Sequence, residues 1–277
     1  MELFKNLFIK NSHQVVLVLF SVLICHYTGN RGVFPIDSFG HFDSAFRILN
    51  DEHPFRDFWI VSGPFIDYFQ SFLFYIFGVN WQTYILSASI LNSILTVTTY
   101  YLFLTLGLEK NYSFFYSICF AILGYPSSGT PFVDHHSLFL SLLAVYFLIF
   151  AMKNKNKFFW IAIPFIMFIA FLSKQVPTLY IFIIIIFLIA YHLVFSNKKL
   201  FLNIFSKLTL SSFIILSLFF FFLKFNQIEF KDFYLQYILY PGTLGNERYE
   251  NINYDLKNLF LNFKFIYFIL FILCFFI

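Results

Sequence analysis

Long apolar runs separated by short polar segments make up most of the sequence. Eight runs can each form the core of a membrane-crossing helix: 14–27, 84–106, 112–125, 137–152, 158–172, 177–195, 208–223 and 259–277. Because a full crossing needs about 20 residues, the shorter cores must borrow flanking residues at the interfaces. The pattern therefore predicts an all-α, polytopic membrane protein with about eight transmembrane helices.

These runs divide a single transmembrane domain, residues 1–277, into parts. We expect a first span at 14–27, an outer loop with interfacial helices at 28–83, a six-span bundle at 84–223, an outer loop at 224–258 and a last span at 259–277. The chain start lacks a small-residue cleavage site before or after its apolar run, so the first span is expected to be retained.

The segment 65–77 decides the orientation of the chain. It is short, follows Gly63 and Pro64, and carries Asp67 and Gln70. If it does not cross, the lysine-containing segments fall on one side, which the positive-inside rule makes cytoplasmic; they are Lys5, Lys10, Lys110, 153–157 and 198–199. We therefore expect 65–77 to lie along the outer interface or to dip in and return, with Asp67 facing water or protein. The N-terminus is then cytoplasmic.

The composition agrees with this class of protein. The chain is 60% hydrophobic and 12% charged, whereas soluble domains carry about 25% charged residues. We expect contact with membrane lipid and no nucleic-acid partner. Its cysteines, Cys25, Cys119 and Cys274, lie inside apolar runs and are interpreted as small buried hydrophobic residues without a disulfide framework.

The segment 31–64 concentrates charge directly after the first apolar run. Its ionisable residues include Asp37, Asp43, Asp51, Glu52, Asp57, Arg31, Arg47 and Arg56. Charge beside a membrane is costly unless it has a function, although a solvated connecting loop is the alternative. Asp37 and Ser38 can cap the start of a helix, and residues 50–54 contain the signals that end it. In that helix Asp43 and Arg47 lie one turn apart on the same face. We expect a folded surface loop that presents carboxylates and guanidinium groups to a bound substrate.

Three other polar features fall on the same side in this topology. Asp134, His135 and His136 can bind a divalent metal with carboxylates of the first loop, but no known ligand spacing supports this and Asp134 can instead cap a helix. Lys174, followed by Gln175, either snorkels to headgroups or faces a lipid phosphate. The polar, aromatic stretch 224–257 is typical of a substrate-facing loop and of an ordinary interfacial loop.

Arginine and lysine separate in the predicted topology. All four arginines lie on the outer side, and they are Arg31, Arg47, Arg56 and Arg248. A planar guanidinium group can hold a phosphate through two hydrogen bonds. The outer side is therefore expected to bind a phosphate.

The outer loop resembles the first outer loop of GT-C superfamily glycosyltransferases, the polytopic enzymes typified by protein mannosyltransferases and aminoarabinose lipid A transferases. The likeness lies in the order of a first span, Asp37, a helix with Ala45 and Leu49, the sequence PFRDF at 54–58, GP at 63–64 and FG at 77–78. Its stronger part covers 14–106.

The resemblance implies sugar transfer from a polyprenyl-phosphate donor on the outer face of the cytoplasmic membrane. An aspartate soon after the first span would act as base, which implies Asp37. Asp43 is the second candidate, because Asp37 is followed by Ser38 where several relatives carry two consecutive acidic residues.

The residues agree with that chemistry. Inverting transfer needs a carboxylate to accept a proton from the acceptor hydroxyl, and a cation or metal to stabilise the departing phosphate. The predicted cations are Arg56, Arg47 and Lys174, and the predicted substrate-binding set adds Asp57, Gln175 and Arg248. The acceptor would be a glycan, a lipid or a protein. A divalent metal is possible but not required.

Two competing functions remain at this point. A transporter or flippase of lipid-linked sugars would distribute charged residues through the depth of several spans, whereas here they gather near the surfaces. An inactive membrane scaffold is the other alternative. The chain ends at Ile277 inside an apolar run, so a truncated protein is also considered.

Overall fold

The computed structural model describes residues 12–32, 35–125, 129–154, 157–195, 198–250 and 256–274, with only the backbone described at 35–38, 154, 157, 198, 248–250, 256, 259 and 273. These residues form helices without a strand, which confirms the all-α class. The helices are α1 Ser12–Gly29, α2 Pro35–Leu49, α3 Pro64–Phe77, α4 Trp81–Thr105, α5 Lys110–Gly124, α6 Val133–Asn154, α7 Lys157–Ser173, α8 Gln175–Val194, α9 Lys198–Phe225, α10 Phe230–Phe233, a π-helix Tyr234–Leu239, α11 Tyr240–Glu250 and α12 Leu256–Cys274.

Each predicted apolar core overlaps a helix. The bounds agree to within a few residues except at 208–223, where α9 begins ten residues earlier. Among the described residues, five helices are long and apolar enough to cross a membrane: α1, α4, α6, α8 and α9. α7 and α12 contain shorter apolar stretches, Phe158–Ser173 and Phe260–Ile272. The chain is thus a multi-pass membrane protein, and the number of eight crossings stays a prediction.

The helix bundle has a buried centre and a lipid-exposed edge. In α4 and α6, 67% and 61% of the most apolar window is buried, against 17% in both α8 and α9. The buried side of α4 carries small polar residues that allow close helix packing; they are Ser87, Ser89, Asn92, Ser93, Thr96 and Thr99. The Asn92 amide donates to the Ala121 carbonyl of α5 at 3.0 Å.

Helix α2 begins earlier than the sequence pattern predicts. Its first residue is Pro35, whose fixed φ suits the first helical turn. Position 37 therefore lies in the first turn and is not the predicted N-cap. The end at Leu49 agrees with the prediction, and the Asn50 amide donates to the Phe46 carbonyl at 2.8 Å.

Helix α3 corresponds to the doubtful segment 65–77. It starts after Gly63, which has φ 80°, a conformation that glycine adopts without steric cost. With 14 residues, it is about 21 Å long, which is less than the hydrocarbon thickness of a bilayer. It packs on α2 through Phe42 and Phe74, whose ring centroids are 4.9 Å apart. Its placement at the membrane interface stays a prediction.

The two ends of the bundle differ in character. At one end, His13 contacts the Tyr100 hydroxyl at 3.2 Å, and Trp160 stacks on His192 with centroids 5.9 Å apart. The starts of α5, α7 and α9 and the lysines near them lie at this end. The other end, named the loop face, consists of loop 50–63, the start of α6, the α7–α8 junction and the π-helix.

Candidate active site

Arg56 and Asp57 hold the charged loop in shape. The Arg56 guanidinium donates to the Asp51 carbonyl at 2.6 Å, to the Asn226 carbonyl at 2.9 Å and to Asp57 Oδ2 at 2.8 Å. Asp57 Oδ2 also accepts from the backbone N–H of His53 at 2.7 Å. This N–H, with the Arg56 guanidinium in support, holds the pKa of Asp57 below its usual range. Substrate binding by the two residues stays a prediction, and it would have to use their remaining edges.

Arg47 lies in a more open environment. It donates to Glu52 Oε2 at 2.6 Å, and its guanidinium lies 4.1 Å from the centre of the Phe58 ring. In the described part of the chain its ion partner is Glu52, and Asp43, one turn earlier in α2, is exposed. Because an exposed ion pair contributes at most about 1 kcal/mol, a phosphate can recruit Arg47 at little cost.

Two glutamine side chains tie the loop to distant segments. The Gln175 amide donates to the carbonyls of Val61 at 2.9 Å and Tyr237 at 2.6 Å. The Gln236 carbonyl oxygen accepts from the Ile60 N–H at 3.3 Å, and its amide donates to the Phe55 carbonyl at 3.2 Å. Gln175 was predicted to bind substrate, and its amide here fastens the loop face.

Lys174 joins the α7–α8 junction to α6. Its ammonium group lies 2.6 Å from Asp134 Oδ1, and both side chains are partly exposed. The structure thus brings together two residues that the sequence analysis assigned to separate features. A mobile lysine in a partly exposed pair remains available to an anionic ligand.

The two histidines of the predicted metal site lie in different environments. His136 is buried, and its Nδ1 lies 3.1 Å from the Tyr125 hydroxyl and 3.2 Å from the Phe132 carbonyl oxygen. The His135 ring packs on Tyr125 with centroids 5.3 Å apart. In the described ranges, no three His, Cys, Asp or Glu side chains are grouped to hold a metal ion. Metal ligation by Asp134, His135 and His136 stays a prediction.

His41 and Asp67 form a pair that sequence reasoning missed. His41 Nδ1 lies 2.6 Å from Asp67 Oδ1, and the Asp67 side chain is 1% exposed. Burial raises the pKa of Asp67, while His41 opposes the shift. The only available signal was an aspartate followed three residues later by Gln70 in an apolar helix, and it did not identify His41. Asp67 was predicted to face water or protein, and in the structure it faces protein.

Gly63 allows α2, α3 and α6 to meet at this pair. A Cβ atom added at Gly63 would lie 2.6 Å from His41 Cε1 and 2.9 Å from Val133 Cγ1. Val133 is the first residue of α6 and precedes Asp134. The pair therefore lies at the loop face, close to the segment that carries Lys174.

An apolar cavity of about 250 Å³ lies beneath loop 50–63, between α3, α7 and α9. Phe55 and Phe233 roof it with centroids 5.2 Å apart. Tyr68 lies at its edge and contacts His53 Nδ1 through its hydroxyl at 2.8 Å. The walls further from the loop include Phe168, Leu172, Phe219 and Phe222. The cavity is suited to a hydrocarbon chain rather than to a sugar.

Two predicted site residues have only their backbone described. Asp37 lies in the first turn of α2, one turn before His41, and Arg248 lies in α11. The side chains of both are outside the described part of the chain. Their contacts are therefore not part of the site geometry.

Comparison with known families gave one match. The family model described as dolichyl-phosphate-mannose-protein mannosyltransferase matches residues 53–220, which is more than half of the chain. The match includes Asp67, Asp134 and Lys174 but starts after α2, so positions 37 and 41 lie outside it. The comparisons with curated proteins and with solved structures found no match.

Proposed function

The chain belongs to the dolichyl-phosphate-mannose-protein mannosyltransferase family and is a membrane glycosyltransferase of the GT-C type, and on that premise we propose that it takes its sugar from a polyprenyl-phosphate donor. The acceptor is a glycan, a lipid or a protein. The observation that carries the proposal is the meeting of the charged loop, Lys174 and Asp134 above an apolar cavity.

The loop face offers an apolar cavity for the polyprenyl chain of such a donor and cations for its phosphate. The cavity provides an apolar environment for the first isoprene units, and each buried CH₂ group contributes about 0.8 kcal/mol. Arg47 and Lys174 are partly exposed cations, and each has one ion partner among the residues whose side chains are described. They are the groups that would bind the phosphate and stabilise its charge as it leaves.

The base is an aspartate of α2. It accepts the proton of the acceptor hydroxyl while that oxygen attacks the anomeric carbon from the side opposite the phosphate, which inverts the configuration. The family resemblance favours position 37, and helix geometry places the two candidates on different sides of α2. Two residues correspond to about 200° around a helix, so Asp43 lies on the side of α2 away from His41, whereas position 37 is one turn from it.

We place the loop face on the outer side of the cytoplasmic membrane. The starts of α5, α7 and α9 lie at the opposite end, and of the lysines with described side chains Lys110, Lys153 and Lys199 lie in or next to these segments. The positive-inside rule assigns that end, and the N-terminus, to the cytoplasm. An impermeant thiol reagent should label an Asp43→Cys variant from outside intact cells. Labelling only after permeabilisation would contradict the orientation.

The test of the function is transfer from labelled polyprenyl-phosphate sugars in membranes that contain the wild type or Asp37→Asn. We expect the variant to lose about 10²- to 10⁴-fold in rate, the usual contribution of a general base. The matched control is Glu109→Gln, the same charge change on an exposed residue at the opposite end. Equal transfer by Asp37→Asn and wild type would remove Asp37 from the mechanism. A larger loss with Asp43→Asn would transfer the role to Asp43.

A further inference from the structure

A second apolar cavity lies beside the one beneath loop 50–63. It has a volume of about 270 Å³ and lies between α7, α8 and α9. Its walls include Met167 of α7, Leu179 and Phe182 of α8, and Leu216 of α9. The proposed reaction places the donor chain in the first cavity and leaves the second without a role.

Two side chains separate the cavities. Phe168 of α7 and Ile215 of α9 line both of them. The Phe168 ring packs on Phe219 with centroids 5.3 Å apart at an angle of 71°, and Ile215 is buried. Because the same side chains border both spaces, the contact between α7 and α9 forms a thin wall with an apolar cavity on each side.

Each cavity has its own rim on the lipid-exposed surface. Leu218 lines the first cavity and is 52% exposed, and Leu216 lines the second and is 47% exposed. Two residues correspond to about 200° around a helix, so the two rims lie on different sides of α9. Since α9 is long and apolar enough to cross the membrane, its exposed apolar side chains face lipid. A hydrocarbon chain can therefore enter either cavity sideways from the membrane.

The second cavity also extends to the loop face. Phe171, in its wall, packs on Tyr237 of the π-helix with ring centroids 5.6 Å apart, and its carbonyl accepts from the Tyr237 hydroxyl. Thr178 lies in the same wall, four residues after Lys174. The cavity thus begins next to the cation that the proposed function assigns to the donor phosphate.

We propose that the acceptor is a lipid and that the second cavity binds its hydrocarbon chain. The inference rests on the proposed function, because it takes the first cavity as the site of the donor chain. A polyprenyl phosphate has a single hydrocarbon chain, and it would have to displace Phe168 and Ile215 to fill both cavities. A chain in the second cavity therefore comes from another molecule, whose head group then lies at the loop face beside that of the donor.

The transfer follows the proposed reaction. A hydroxyl group of the lipid head group loses its proton to the base aspartate, and its oxygen forms the bond to the anomeric carbon. The bond from that carbon to the phosphate oxygen breaks, and its electron pair stays on the phosphate. The products are a glycolipid and a polyprenyl phosphate, and the chains of both remain in the membrane.

The class of the product tests the inference without any variant. Membranes with and without the protein are incubated with a labelled polyprenyl-phosphate sugar, extracted with organic solvent and treated with mild acid. The acid cleaves the sugar–phosphate bond of the donor but not the glycosidic bond of a product. We expect acid-stable label in the lipid extract only when the protein is present. Label confined to protein or to water-soluble glycan would overturn the inference and leave the proposed function intact.

Two matched substitutions on α9 test which cavity takes which chain. Leu216→Trp places a large ring at the second cavity, and Leu218→Trp makes the same change at the first. With the donor varied and the membrane acceptors constant, Leu216→Trp should lower the maximal rate at least about tenfold at an unchanged KM for the donor. Leu218→Trp should instead raise that KM at least about tenfold.

Leu210→Trp is the control for both variants. Leu210 is 61% exposed on the same helix and is outside the linings of both cavities, so this variant should keep the rate and the KM. If ordinary membrane lipid fills the second cavity, Leu216→Trp will transfer like the wild type, which would contradict the inference. A raised donor KM in Leu216→Trp would also contradict it, because the donor chain would then use the second cavity. Failure of the wild type to use any polyprenyl-phosphate sugar would instead disprove the proposed function, and with it the role of the second cavity.

Discussion

The charged loop 51–57 and the buried pair of His41 and Asp67 both contain an aspartate next to a basic side chain, but the two carboxyl groups lie in opposite environments. In the loop, the Asp57 carboxylate accepts from a backbone N–H and from Arg56 at 2.7 and 2.8 Å, and it is stabilised as an anion. In the pair, burial works against the anion of Asp67. Charge dense in the sequence therefore belongs here to a folded loop, while the carboxyl group with an unpartnered oxygen among the described residues is a single aspartate in an apolar helix.

The two places also differ in what they hold together. Arg56 and Asp57 make hydrogen bonds to the backbone of the loop, so their removal should first loosen the loop. His41 and Asp67 join α2 to α3, so their removal should first loosen the packing of these two helices. Paired variants test this distinction.

The largest effect is expected from Gly63→Ala. Its φ of 80° costs an alanine about 1–2 kcal/mol, and the new Cβ would lie 2.6 Å from His41 Cε1, which adds about 1–3 kcal/mol of overpacking. Gly107→Ala is the control, because Gly107 has φ 96° and an added Cβ would meet no heavy atom of the described residues within 4 Å. Thermal unfolding should show a larger loss for Gly63→Ala, and transfer should fall in that variant alone. Equal losses would contradict the described contact with His41.

Arg56→Ala should have the next largest effect. It leaves the carbonyls of Asp51 and Asn226 without their charged donor, and hydrogen bonds to charged groups contribute about 1.5–3 kcal/mol. Arg47→Ala removes one exposed ion pair and should cost at most about 1 kcal/mol. Protease cleavage in loop 50–63 measures both. If Arg47→Ala opened the loop as much as Arg56→Ala, the assignment of Arg56 as the structural arginine would be wrong.

Gln175→Ala should have a smaller effect, about 1–2 kcal/mol, because it removes two neutral hydrogen bonds to backbone carbonyls. Hydrogen exchange should speed up in the loop around Val61 and in the π-helix around Tyr237 together. Gln82→Ala, which loses one exposed bond to Asn30, is the control. Faster exchange at only one of the two segments would show that Gln175 does not link them.

The smallest expected effect is on the pH dependence of stability, which should differ in sign between Asp57 and Asp67. The pKa of Asp57 is lowered in the folded protein, so its contribution to stability is present above the unfolded pKa of about 3.9 and is lost as the pH falls through the folded value. The pKa of Asp67 is raised, so its contribution is present below about 3.9 and is lost as the pH rises towards the folded value. Melting curves of Asp57→Asn and Asp67→Asn against pH should change in opposite directions relative to wild type. A change in the same direction would contradict the comparison.

Much of the fold follows from local pattern. Each predicted apolar core lies in a helix, and the end of α2 at Leu49 follows from the stop signal after it. The predicted cap at Asp37 places the start of α2 three residues too late, because Pro35 was not considered as the first helical residue.

The site was harder to predict because its contacts are not local. The sequence analysis placed Lys174 and Asp134 on one side of the membrane, but not in contact, since 40 residues separate them. His41 and Asp67 are 26 residues apart in two different helices, and each reads as an ordinary polar residue in its own helix. Gln175 was predicted to bind substrate, which stays a prediction, and the sequence did not indicate its two carbonyl partners.

The fastening of loop 50–63 sets an order for biosynthesis. Its partners Gln175, Asn226 and Gln236 follow 114, 170 and 181 residues after the loop atoms that they bind. A ribosome must therefore make and release the chain beyond the π-helix before the loop can close. Nascent chains arrested before that length should display an open loop that proteases cleave readily.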